Sequence, residues 1–234
     1  MEYKKIYIFA YKFIKIQKDM VISVTNLKGG VGKTTVTINI AVGLALKGYS
    51  ICLVDSDREQ RSATEWRDNR TKESPQITVV SVSEKQFTSE IKALRAKFDI
   101  VLIDGVPQLS ELAQYTIGVS DLVLIPITPS LIDYRGFEIF FRKFKEIKLM
   151  KEEIGGSVEG AVIMNRVQRN RLVNEIPEAV ESYGIRLLKY RLADRLAYKD
   201  TFTEGLGVME YKDEKAKEEV RGMVDEIEEI MKSI

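Results

Sequence analysis

Short aliphatic runs at 21–24, 51–54, 77–82, 99–104, 122–127 and 158–164 divide the chain. Apart from 77–82, which looks like an edge-ward strand, they are continuous rather than alternating, the pattern of strands buried on both faces of a parallel sheet. Between them apolar residues recur at helical spacing: Ile38, Ala41, Val42, Ala45 and Leu46, then Phe87, Ile91 and Leu94 within 84–97. Phe137, Phe140, Phe141 and Phe144 do the same within 133–150, as do Val220, Met223, Val224, Ile227, Ile230 and Met231 within 212–231. Strand and helix in alternation predict one doubly wound α/β domain over 20–234, a mostly parallel sheet with helices on both faces. The phenylalanines read as core and subunit-contact positions, and the opposite face of the last helix is rich in glutamate.

One junction carries chemistry. Directly after the first run stand Lys28, Gly29, Gly30, Val31, Gly32, Lys33, Thr34 and Thr35, followed by a helical pattern. Glycines without Cβ atoms let successive backbone N–H groups converge into an anion nest. The following helix points its free N–H groups and positive dipole end into that nest, so a phosphate belongs there. The usual phosphate-loop pattern is G-x-x-x-x-G-K-[ST]. Here its first glycine position is Leu27, and Lys28 follows, five residues before Lys33. Lys33 can reach β- and γ-phosphates and Thr34 can hold Mg²⁺. Lys28, on the outer limb, cannot easily fold back onto its own nucleotide and is free to reach across an interface. The plain alternative is a glycine turn between a strand and a helix.

Other polar positions fall at strand ends, where open α/β sheets place their sites. Asp55 and Asp104 close two aliphatic runs, and Asp104 closes a run of the Walker B form, suited to binding Mg²⁺ through water. Asp55 and Asp57 can equally cap a helix, as Asp often does. Pro126 cannot donate to a sheet ladder, so it belongs at a strand end, where the base of a nucleotide could lie.

The stretch from Lys28 to Thr35 resembles the deviant Walker A box of the ParA/MinD ATPases, and the chain is similar to their small ParF-type members over nearly all of 20–234. The resemblance implies a P-loop fold, ATP and Mg²⁺ as ligands, and slow ATP hydrolysis. It implies that Lys28 contacts the nucleotide of a partner subunit in an ATP-dependent homodimer, with Lys28, Lys33 and Asp57 catalytic. Asp57 lies 24 positions after Lys33, where the family places the carboxylate that orients the attacking water. One residue, Arg58 or Glu59, is extra relative to the family pattern before Gln60. Thr34, Asp55 and Asp104 would surround the metal. Asn165, after the run at 158–164, resembles the family's adenine-reading position, an amide that can both donate and accept.

Composition narrows the chemistry without naming a partner. Lys and Arg number 36 against 35 acids, a net charge of +1 that excludes neither nucleic acid nor membrane, because local patches decide. With no histidine and one cysteine, Cys52, the chain has no disulfide, and catalysis must rest on carboxylates, lysines and Mg²⁺. A reducing, cytoplasmic setting is the default. No apolar run approaches a membrane span.

Charge is segregated: residues 165–200 carry +3, and 201–234 carry −5. The resemblance assigns non-specific DNA binding to this third of the chain, with Arg169, Arg171, Arg191 and Arg195 as candidates. The other reading is a solvated surface of ordinary ion pairs. A DNA-partition ATPase of this kind would be nucleoid-associated and stimulated by a small DNA-bound, centromere-binding adaptor. Residues 1–19, with Lys4, Lys5, Lys12, Lys15 and Lys18, read as a non-essential extension; a basic arm, an added strand and upstream translation are the options. A MinD-like membrane switch is the alternative function, but its lipid-binding helix would carry Lys and Arg where this one carries Glu. An Fe–S carrier needs interfacial cysteines that Cys52 alone cannot supply, and an inactive nucleotide-gated adaptor is the third option.

Overall fold

The computed structural model describes residues 19–57, 60–71, 75–107, 110–168 and 172–234. Seven strands among them form one sheet: β1 (Met20–Val24), β2 (Ile51–Asp55), β3 (Thr78–Ser81), β4 (Ile100–Asp104), β5 (Leu122–Ile127), β6 (Glu159–Met164) and β7 (Arg186–Leu187). Their order is β3-β2-β4-β1-β5-β6-β7, and each neighbouring pair is parallel. The chain winds from β1 outward to β3, returns to insert β4 beside β1, then proceeds through β5 in the other direction. The carboxyl end of β1 is therefore the point where the winding reverses, and a ligand crevice is expected there.

Eight helices complete the described residues: α1 (Lys33–Leu46), α2 (Ser62–Asn69), α3 (Phe87–Arg95), α4 (Glu111–Val119), α5 (Leu131–Glu153), α6 (Leu172–Ser182), α7 (Ala197–Thr203) and α8 (Glu214–Ser233). Strand residues alternate between the two faces. Ile22, Val24, Leu53 and Leu102 meet α1 and α8 in one core cluster. On the other face Val21, Cys52, Val54, Val101 and Ile103 meet Phe87 and Ile91 of α3, while β5 and β6 receive Phe137, Phe140, Phe141 and Phe144 of α5. Those phenylalanines are core, and Cys52 is a buried thiol whose pKa burial pushes up to about 12.

α1 is buried nearly all round because it lies between the sheet and α8, which covers it with Val220, Met223, Val224 and Ile227. The close crossing depends on Gly43, where a Cβ would come within 2.6 Å of Val224 Cγ2. Leu46, read as part of the apolar face, is 50% exposed at the helix end. The predicted helix at 84–97 is a 3₁₀ turn at Glu84–Gln86 leading into α3. α5 starts two residues earlier than predicted and runs three residues longer. β7, only two residues long and of mixed polarity, has no aliphatic run to announce it.

Pro126 lies inside β5, paired with Ile163, one residue short of its end. Its ring nitrogen is tolerated because β1 has already ended on that side: Leu124 O accepts from Thr25 N–H, and Pro126 O accepts from Asn26 Nδ2 at 2.7 Å. Residues 1–18, Arg58, Glu59, Arg169 and Arg171 lie outside the described residues.

A buried ion pair ties α2 to the segment before α8. Arg70 Nη1 and Nη2 each donate to Glu210 at 2.9 Å, and also to Gly205 O and Pro75 O. The two side chains are 6% and 7% exposed, the guanidinium lies 5.2 Å from the Trp66 ring centroid, and Trp66 Nε1 donates to Leu206 O. Arg70→Ala strands the Glu210 charge in that setting, an expected loss of about 3–5 kcal/mol. Urea unfolding at neutral pH measures it, and a loss below about 1 kcal/mol would contradict a role in holding α2.

Candidate nucleotide and metal site

The turn after β1 is anchored before the glycines begin. Asn26 donates to Pro126 O and accepts the Lys28 N–H at 3.2 Å, which fixes the entry to the loop. Gly32 then takes φ +86°, a left-handed conformation costly for a side chain, and a Cβ there would sit 2.2 Å from Asn165 Nδ2. Gly32 is also the residue just before α1, at its N-cap, with no side-chain hydrogen bond capping the helix and no acid in the first turn. The first-turn N–H groups are thus left for an anion.

Lys33 is 8% exposed, and its Nζ donates to Lys28 O at 3.0 Å. Burial pulls its pKa below the ordinary lysine value, while Asp104 and Asp57 oppose that shift. Thr34 Oγ1 donates to Asp104 Oδ2 at 2.6 Å, and Thr37 Oγ1 donates to Asp104 Oδ1 at 3.3 Å. Asp104 and Asp55 are register partners on β4 and β2. Burial, reinforced by Asp55, pushes the Asp104 pKa up to about 7 against the pull of Thr34, Lys33 and Thr37. Asp55 stands behind it: its Oδ2 accepts the Thr64 N–H and hydroxyl, joining β2 to α2, and its Oδ1 is buried without a hydrogen-bond partner. Asp57 Oδ1 accepts the Gln60 N–H at 3.0 Å, and Asp57 O accepts the Arg61 N–H.

A cavity of about 710 Å³ is lined by Gly29, Gly30, Gly32, Lys33, Thr34, Thr35, Asp57, Gln60, Asp104 and Asn165, with a far wall from Ala193 to Thr203. Lys28 and Val31 instead line a separate hollow of about 270 Å³ with Thr128, Pro129, Arg166 and Asp194. The two lysines of one loop thus face different spaces. Among the described residues no three His, Cys, Asp or Glu side chains could hold a metal by themselves. The Thr34 hydroxyl and the Asp104 carboxylate, with the orphaned Asp55 Oδ1 behind, are hard oxygen donors. They fit Mg²⁺ completed by phosphate and water.

Other site residues stand differently from the sequence reading. Pro126 does not line the cavity, because its carbonyl is spent on Asn26. Asp55 does not line it either. Asn165 reaches the cavity, but its Nδ2 donates to Val31 O at 2.7 Å, which braces the phosphate loop against the end of β6. Arg191 is exposed, whereas Arg195 is half-buried and lines the cavity with its guanidinium on Glu219 at 2.6 and 3.0 Å, so this DNA candidate has a partner within the fold. The Glu219 hydrogen bond raises the Arg195 pKa further.

Sequence reasoning missed Asn26, Thr37, Thr64, Arg166 and Glu219. Arg166, at φ +52°, turns the chain so that its Nη1 donates to Gly30 O at 3.2 Å. Nothing in their spacing marks them: Asn26, Thr37, Arg166 and Glu219 act on partners distant in sequence, and Thr64 on Asp55 across the turn that joins β2 to α2.

Comparison with known proteins agrees with this geometry. The chain is 25% identical over 217 residues to maintenance of carboxysome distribution protein A of Halothiobacillus neapolitanus, covering 90% of this chain and 97% of that one. It is 29% identical over 189 residues to protein ParA of Rhizobium radiobacter, covering 79% and 83%. The structure of the cell division ATPase MinD of Pyrococcus furiosus superposes with a TM-score of 0.67 at 21% identity, covering 90% of this chain and 99% of that one, a likeness of fold. The model of the CobQ/CobB/MinD/ParA nucleotide-binding domain matches residues 22–223, from inside β1 to the middle of α8. The chain belongs to that family, among its ParA/MinD P-loop ATPases.

Proposed function

We propose that this protein is a DNA-partition or cargo-positioning ATPase that dimerises around MgATP, binds DNA without sequence preference as the dimer, and releases it on hydrolysis. One observation carries the reading: Lys33, Thr34, Asp57 and Asp104 meet the loop glycines around one cavity, while Lys28 of the same loop faces away into another hollow. The ParA/MinD members of the family are nucleotide-hydrolysing P-loop ATPases involved in positioning and partition. The relatives named above distribute carboxysomes, carry the name ParA, or serve cell division.

The division of work follows from placement. The loop amides and Lys33 bind and neutralise the polyphosphate, for which Lys33 must leave the Lys28 carbonyl. Thr34 and Asp104 hold Mg²⁺, which when bound supplies charge neutralisation on the β- and γ-phosphates. Asp57 accepts a hydrogen bond from the attacking water and aligns it, since phosphoryl transfer asks chiefly for positioning and charge. Lys28 reaches the nucleotide of a second copy, so the site is complete only in the dimer. A DNA-bound adaptor would speed turnover by tightening that arrangement. The apolar face of α8 packs on α1, which leaves it no face to lay on a lipid surface and favours DNA as the partner.

Three substitutions separate the steps. Lys33→Ala is expected to weaken ATP binding by about 100-fold or more. Asp57→Ala should leave it within about threefold while phosphate release falls about 100-fold. Equal phosphate release from wild type and Asp57→Ala would instead indicate an inactive nucleotide-gated adaptor. Lys28→Ala should bind ATP as a monomer yet fail to dimerise in light scattering with saturating MgATP; a normal dimer would refute the shared site.

DNA retardation across a salt series, with ATP, ADP or no nucleotide, tests the partner. Binding confined to the ATP state, weakened by Arg191→Ala and steeply by salt, is expected. Binding indifferent to nucleotide would remove the switch, and ATP-dependent sedimentation with anionic liposomes would favour the membrane reading.

A further inference from the structure

The cavity has two unlike ends. One is the phosphate loop, Thr34 and Asp104; the other is the wall formed by Ala193 and Arg195, in the stretch between β7 and α7, and by Tyr198 in the first turn of α7. That stretch has little sheet to hold it: an isolated bridge joins Val167 to Ala193. What braces it from the other side is one carboxylate on α8. Glu219 Oε1 accepts from Arg195 Nε at 3.0 Å and Nη2 at 2.6 Å, and Oε2 accepts from Ala193 N–H at 3.1 Å and Tyr198 OH at 3.0 Å. Two turns further along α8, Glu226 accepts the Lys189 N–H at 2.9 Å, outside the cavity lining.

We propose that Glu219 is a positioning residue for the nucleoside end of the cavity, setting affinity for the sugar and base of the ligand through Arg195, Ala193 and Tyr198 without touching the ligand. The inference rests on the ATP reading above. The phosphate loop is built from β1, α1 and β4, to which Glu219 makes none of these bonds, so the polyphosphate end stands without it. The wall does not, because three donors lose their acceptor together when the carboxylate goes. Its rigidity is what a bound nucleoside needs, since a wall free to move must be ordered at the cost of binding.

The test compares two ligands in the full chain with Mg²⁺: ATP and inorganic tripolyphosphate, which has no nucleoside. Titration calorimetry on wild type, Glu219→Gln, Tyr198→Phe and Glu226→Gln gives the affinities, and thermal melting reports stability. Glu219→Gln is expected to weaken ATP about tenfold and Tyr198→Phe about threefold, with tripolyphosphate unchanged within about twofold in both. Glu226→Gln should leave both ligands within about twofold even where it lowers the melting temperature. Equal weakening of ATP and tripolyphosphate, or no change in ATP, overturns the proposal, and Tyr198→Phe decides by the same ratio should Glu219→Gln fail to fold. Wild-type protein that bound neither ligand would overturn the ATP reading itself, a result distinct from failure of the variants alone.

Discussion

The hydrogen bond from the Thr34 hydroxyl to Asp104 joins the first turn of α1 to the carboxyl end of β4, and most of the site is arranged about it. It holds the helix start over the point where the sheet winding reverses. The same carboxylate takes Thr37, and its backbone oxygen takes the Ser56 amide and hydroxyl. Two other chain segments, α1 and the turn after β2, therefore converge on one buried acid of β4 whose ionisation burial resists. A carboxylate in that setting, with an unpartnered Asp55 oxygen behind it, is a chemical fit for a divalent cation.

The loop itself is braced from its two sides. Asn26 fixes its entry to β5, and Asn165 and Arg166 hold Val31 O and Gly30 O from the end of β6. These bonds leave the backbone N–H groups of the loop for the ligand by occupying its carbonyls. Preorganisation of this kind lowers the cost of binding, because the nest does not have to form when the phosphate arrives.

α8 shows how one helix serves two purposes. Its apolar face closes the core over α1, and a hydrophobic pattern at helical spacing announces that much. Its acidic face reads as solvated, yet Glu219 and Glu226 take backbone N–H groups of the stretch that follows β7. Without a ladder partner those amides need acceptors, and a helix running alongside offers them at a spacing of seven residues, nearly two whole turns.

Local chemistry decided a good deal of this protein. Continuous aliphatic runs marked β1, β2, β4 and β5, which are buried on both faces, and the glycines with Lys33 and Thr34 carry the pattern of a phosphate nest, because the chemistry lies within a few consecutive residues. Even the helix ends came out within a few residues for α3 and α5. Pairings across the sheet were beyond such reading. That Asp55 and Asp104 are neighbours, that Arg195 pairs with Glu219, and that Asn165 braces the loop all depend on strand order and on how α8 lies. A side chain's partner at long sequence separation is set by packing, and packing leaves no local periodicity to read.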